Sequence, residues 1–226
     1  IFYTITLYHN YLSSWLYKDC CISSKSTFQD IIVFFLFVFL GGDLCTIKLG
    51  KNTRSPSLEF IKNLTPTGSS SSLSVTDVFS AQYDVYAVTY HLTTDSGSPK
   101  DTDLRLINSS GTIVTNSNYN YAYLIMAMYG SYSETQAQDQ DKITAMLGPT
   151  DFPPEGNAGI FYVYNPFSSS SYTFIASQSA NVHNGAEAGW KGIAVLKETT
   201  SITGLNMFLS STNPTNESYI NVYGVK

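Results

Sequence analysis

Three histidines, a few paired acids and a cluster of tyrosines are the side chains whose types and spacing bear on chemistry in this 226-residue sequence. Acyl-transfer hydrolysis needs a nucleophile, a base and an orienting acid within mutual reach. His9 lies in an atypical N-terminal stretch, His91 falls late in a strand-like run, and His183 sits in a polar stretch. No GxSxG elbow accompanies them. His183 and Glu187, four apart, would be brought together on a helix, and Gly185 and Gly189 argue against one there. Asp101 with Asp103 and Asp139 with Asp141 lack the ligand spacing of an EF-hand loop and read as solvated acids. Asp151 and Glu155 flank Pro153-Pro154 and are the one pair to consider for glycoside hydrolysis, which needs two facing carboxylates. There is no CxxC pair, no Cys/His cluster and no glycine-rich phosphate loop. The expectation is a non-enzymatic chain with no catalytic residue, metal ligand or cofactor.

Aromatic residues offer binding chemistry instead. In the run Tyr119-Asn-Tyr-Ala-Tyr-Leu-Ile-Met-Ala, alternation of side chains along a strand puts Tyr119, Tyr121 and Tyr123 on one face. A tyrosine ring is flat and apolar with a polar tip, so these three and Trp190 are candidate ligand-binding residues on which a sugar could stack. The same rings serve equally well as sheet packing, and both readings stand at this point.

The elements that must position these residues follow from composition and period. Charged residues make up 13% of the chain and the net charge is -5, without the clustered Lys and Arg of a nucleic-acid surface. The 17 Tyr, with abundant Thr and Val, suit half-buried pleated surfaces, whereas strong helix formers are sparse. From Cys45 onward the dominant period is two, as in the strand-like Thr46-Ile-Lys-Leu49, Val85-Tyr-Ala-Val-Thr-Tyr-His-Leu92 and Leu104-Arg-Leu-Ile107. Asn108-Ser-Ser-Gly111 is a hairpin signal, with glycine available for a positive φ. Gln136–Lys142 and Asn181–Gly189 read as polar loops. Counting the runs predicts about nine or ten strands in an all-β, single antiparallel β-sandwich of jelly-roll type.

Residues 1–43 differ from the rest. Ile31-Ile-Val-Phe-Phe-Leu-Phe-Val-Phe-Leu40 is continuously apolar but shorter than the roughly 20 residues a membrane span needs. Lys18 and Lys25 precede it, as in a signal peptide, yet Gly41-Gly-Asp-Leu-Cys45 has no small-x-small cleavage pattern. Three accounts of this hydrophobic leader remain: an untranslated extension with the true start near Leu44, a signal or membrane-associating segment, and a structured arm. Adjacent Cys20 and Cys21 and the lone Cys45 make no disulfide framework. Residues 44–226 form the expected sandwich domain.

Several stretches of that domain occur in an order that resembles a family of small virion proteins from marine tailed bacteriophages. They are Asp77-Val-Phe-Ser-Ala-Gln-Tyr-Asp-Val-Tyr86, Leu104-Arg-Leu-Ile-Asn-Ser-Ser-Gly111 and Gly156-Asn-Ala-Gly-Ile-Phe-Tyr-Val-Tyr-Asn-Pro-Phe167. Tyr172-Thr-Phe174, Ser201-Ile-Thr-Gly-Leu-Asn-Met-Phe208 and Ile220-Asn-Val-Tyr-Gly-Val-Lys226 complete the set. The resemblance spans about residues 46–226 and carries no catalytic residues. It implies a virion structural protein (head decoration, tail or fibre-associated) assembled in the host cytoplasm. It further implies other virion proteins as partners, a homo-oligomer (trimers being common) and contact with a host surface glycan, without nucleic acid or membrane. The alternative is a carbohydrate-binding module of β-sandwich type.

Overall fold

Alternation of apolar and polar residues becomes sheet because successive side chains of a strand point to opposite faces. On Val85–Leu92 the side chains of Tyr86, Val88, Tyr90 and Leu92 are buried, while Thr89 and His91 on the other face are partly exposed. The computed structural model describes residues 57–67, 70–96, 98–128, 130, 132–151, 155–183 and 186–226. The chain divides into two units at Asn52/Thr53, and every described residue belongs to the second. The hydrophobic leader and the expected strand at Thr46–Leu49 lie outside the described residues.

Twelve strands occur among the described residues, not nine or ten. In chain order they begin with β1 (Leu58–Leu64), β2 (Leu73–Val75), β3 (Val85–Leu92), β4 (Lys100–Asn108), β5 (Tyr119–Ala127) and β6 (Ser133–Gln140). They continue with β7 (Ile143–Thr150), β8 (Asn157–Tyr164), β9 (Thr173–His183), β10 (Ala186–Leu196), β11 (Ile202–Leu209) and β12 (Tyr219–Val225). One sheet has eight strands in the order β1-β12-β3-β8-β9-β10-β5-β6, and the other has four in the order β2-β11-β4-β7. Every strand pairing is antiparallel, so the fold is the expected all-β sandwich.

Two expected loops are strands. Gln136–Gln140 belongs to β6, which is exposed on both faces except at Ala137 and so shows no apolar alternation. β9 runs to His183 and β10 begins at Ala186, so most of the stretch from Asn181 to Gly189 is hairpin rather than loop. The Asn108–Gly111 turn does form: Gly111 N–H donates to Asn108 O at 2.9 Å with Gly111 at φ 77°. Beyond it, Thr112–Thr115 contributes a single bridge, Ile107 to Ile113, instead of a full strand.

Between the sheets lies the core. Tyr86, Val88 and Tyr90 of β3 share one core cluster with Leu104 and Leu106 of β4 and Leu205 of β11, all essentially inaccessible to solvent. Removing such side chains from water stabilises the fold by about 1.5–3 kcal/mol each. β7 packs over β9, β10 and β5. Gly192 of β10 makes that contact close: a Cβ there would lie 2.3 Å from Met146 Cγ.

Candidate functional site

Tyr119, Tyr121 and Tyr123 do share a face, and it is the core face of the eight-stranded sheet. Tyr119 is fully buried; its Oη accepts from Leu106 N–H at 2.9 Å and donates to Val114 O at 3.1 Å. Burial pushes its phenol pKa well up, more than the Leu106 N–H pulls it down, so Tyr119 stays a neutral donor. Tyr121 and Tyr123 are half-buried, packed against the core and parallel to each other, with ring centroids 6.3 Å apart. Trp190 is 2% exposed. Neither Tyr119 nor Trp190 presents a ring face to a sugar, and the burial of these rings decides for packing at both positions.

The acids and histidines are likewise dispersed. Asp103 is buried on β4 and meets Lys142 Nζ at 2.7 Å; desolvation holds its pKa up against that partner. Asp141 pairs with Arg105, whose guanidinium lies 5.1 Å from the centre of the Phe208 ring. Asp139 pairs with Lys197, while Asp101 and Glu155 are exposed. Asp151 is buried and its backbone O accepts from Thr94 N–H at 3.2 Å. His91 tilts against Tyr219 at 5.7 Å between ring centroids. His9 and the side chain of His183 lie outside the described residues. Among the described residues no three His, Cys, Asp or Glu side chains gather to hold a metal ion.

A different surface stands out once register is followed. Directly paired residues of an antiparallel ladder share a face. Phe60 pairs with Tyr223, Tyr223 with Ala87, and Ala87 with Tyr162. From there the row runs on through Ala176, Ile193 and Ala122 to Gln136. This is the face of the eight-stranded sheet turned away from the core. A parallel row carries Tyr164, Phe174 and Val195, and ends at Asn120. Phe174 is 50% exposed and Ile193 65% exposed. Charge on these two rows is nil, where an ordinary surface mixes both signs freely.

Toward the β6 end the face is hollowed. A depression of about 420 Å³ is floored by Ala122, Ala176 and Val195, with Tyr164 and Phe174 at one end and Gln136 and Gln138 on the β6 side. The strand pairing slips between Tyr119 and Tyr121 opposite β6, a bulge of the kind that bends a strand and re-aims its side chains. Asn120 Oδ1 pins this bulge by accepting from Asp139 N–H at 2.9 Å, and Asp139, at φ 54°, adopts the left-handed conformation that Asp tolerates. A second depression shares Ala122, Gln136 and Ile193 with the first and continues along β5 to Leu124, with Glu134 and Lys191 in its lining.

The two edges of this sheet are unlike. β6 is Ser-Glu-Thr-Gln-Ala-Gln-Asp-Gln, nearly all exposed and polar. β1 instead presents Leu58, 53% exposed, and Phe60, 58% exposed. Its charges are engaged: Glu59 pairs with Lys226, and Lys62 Nζ donates to Thr76 O at 2.9 Å. Sequence reasoning missed both the hollow and the apolar edge, although runs such as Ile160-Phe-Tyr-Val-Tyr164, apolar at successive positions, signal a strand apolar on both faces.

No protein-family model, curated protein or solved structure matches this chain.

Proposed function

We propose that the chain is a non-enzymatic structural protein of a bacteriophage particle, a head decoration, tail or fibre-associated component, joined to its neighbour through the β1 edge of the eight-stranded sheet. The contrast between the edges carries this reading. An open edge strand is a template for pairing with another chain, and proteins that stay monomeric blunt it with charge, proline or cover. β6 is blunted by its polar sequence, whereas β1 offers Leu58 and Phe60 on a strand that, among the described residues, pairs on one side only. Each is already nearly half-buried, so covering the remainder contributes about 0.8–1.6 kcal/mol to association. A second copy offering its own β1 antiparallel satisfies both edges at once, as an isologous contact requires. The ordered resemblance to phage virion proteins supplies the setting, and the rigid sandwich with few charges suits assembly.

Light scattering and native mass spectrometry over a concentration series test the contact. Wild-type chain is expected as a multimer, and the Leu58→Lys, Phe60→Lys double variant as a folded monomer. Mass spectrometry of purified particles tests the setting. A monomeric wild type overturns the edge contact; absence of the chain from particles overturns the virion role.

A further inference from the structure

The hollow at the opposite end of the same face has its own chemistry. Its lining contains no charged side chain, so it makes no demand on an anionic or cationic ligand. One end is aromatic, with Tyr164 and Phe174; the other side bears the exposed carboxamides of Gln136 and Gln138. Asn120 adds a third carboxamide, which keeps its Nδ2 as a donor because Oδ1 is taken by Asp139 N–H. The volume of about 420 Å³ falls within the range of about 300–1,000 Å³ usual for small-molecule sites.

We infer that this hollow binds a neutral oligosaccharide. A pyranose ring has an apolar C–H face, which suits Phe174 and Tyr164, and a rim of hydroxyls that both donate and accept, as carboxamides do. A peptide strand fits less well. It would be held by main-chain hydrogen bonds at a sheet edge, but the floor strands β10 and β5 are paired on both sides. A lipid chain would leave three carboxamides facing hydrocarbon, at a cost for each amide without a partner. The hollow adjoins the second depression, which reaches Leu124, four residue steps or about 13 Å of strand from Asn120; Glu134 and Lys191 line that part and can also bond sugar hydroxyls. This site lies at the other edge from β1 and does not depend on the assembly role.

The test is a printed array of neutral hexose oligosaccharides, followed by titration of the intact chain with the glycan that binds best. Wild type is expected to bind. Phe174→Ala is expected to lose about ten-fold in affinity, and Gln136→Ala with Gln138→Ala to abolish detectable binding. Phe174 is half exposed and both glutamines are exposed, so the variants should keep the wild-type circular dichroism and melting temperature. Binding lost in these variants, with the multimer unchanged, supports the site. Silence across the array overturns it, as does binding that the variants retain. A multimer that falls apart in the groove variants also overturns it, by making the hollow a contact between copies, and leaves the virion reading standing.

Discussion

Tyr90 Oη donates to Leu147 O at 2.9 Å, so a phenol of the eight-stranded sheet is bonded to the backbone of the four-stranded one across the core. Asn157 works beside it: its Nδ2 donates to the same Leu147 O at 2.7 Å and to Gly148 O at 3.0 Å. Leu147 O therefore has two side-chain donors, and Asn157 ties two successive carbonyls of β7. Tyr90→Phe removes one bond and leaves that carbonyl satisfied, at a cost of about 1 kcal/mol. Asn157→Ala removes both of its bonds to β7 and opens space in the core, at a cost of about 2–3 kcal/mol. Urea denaturation of both variants should rank them in that order.

Gly192 of β10 lies against Met146 of β7. Adding a methyl in Gly192→Ala forces Met146 aside, since the new Cβ would stand 2.3 Å from its Cγ. Overpacking of this kind costs about 1–3 kcal/mol. In the Gly192→Ala, Met146→Ala double variant the added methyl enters the space vacated by methionine. A double-mutant cycle should show the pair less destabilised than the sum of the single changes, with a coupling of about 0.5–3 kcal/mol.

Asp103 gives the protein an acid-side signature. Its side chain is wholly buried, and desolvation raises its pKa above the ordinary carboxylate value despite Lys142. A carboxyl with a higher pKa folded than unfolded binds its proton more tightly in the native state. Its unfavourable contribution is therefore fully present above the folded pKa and is relieved as pH falls toward 3.8, the unperturbed value. The stability of Asp103→Asn, followed by urea denaturation across acid pH, should decline more steeply on acidification than that of wild type in this window. Lys142→Met leaves the carboxylate without its cation and should destabilise the chain most at neutral pH.

Much of the sandwich was legible because strands with one wet face alternate. Val85–Leu92 shows this, and the structure buries its even-numbered residues. β6 was not legible: with both faces wet, Ser133–Gln140 has no apolar period, and only its pairing with β5 makes it a strand. Alternation likewise placed Tyr119, Tyr121 and Tyr123 on one face but carries no sign, and the sign decides between core and ligand. Phe174 and Ile193, both half exposed or more on the outer rows, looked like ordinary core residues in sequence. Their exposure follows from which sheet face the four-stranded layer covers, a fact of tertiary packing.

The central claim is that the β1 edge is covered in an assembled particle while the β6 end stays open. Carbene footprinting of the free chain, compared with the chain inside purified particles, tests it most directly. The account predicts strong labelling of Leu58 and Phe60 in the free chain, lost in the particle, with labelling of Gln136 and Gln138 retained. Equal labelling of Leu58 and Phe60 in both states would contradict it.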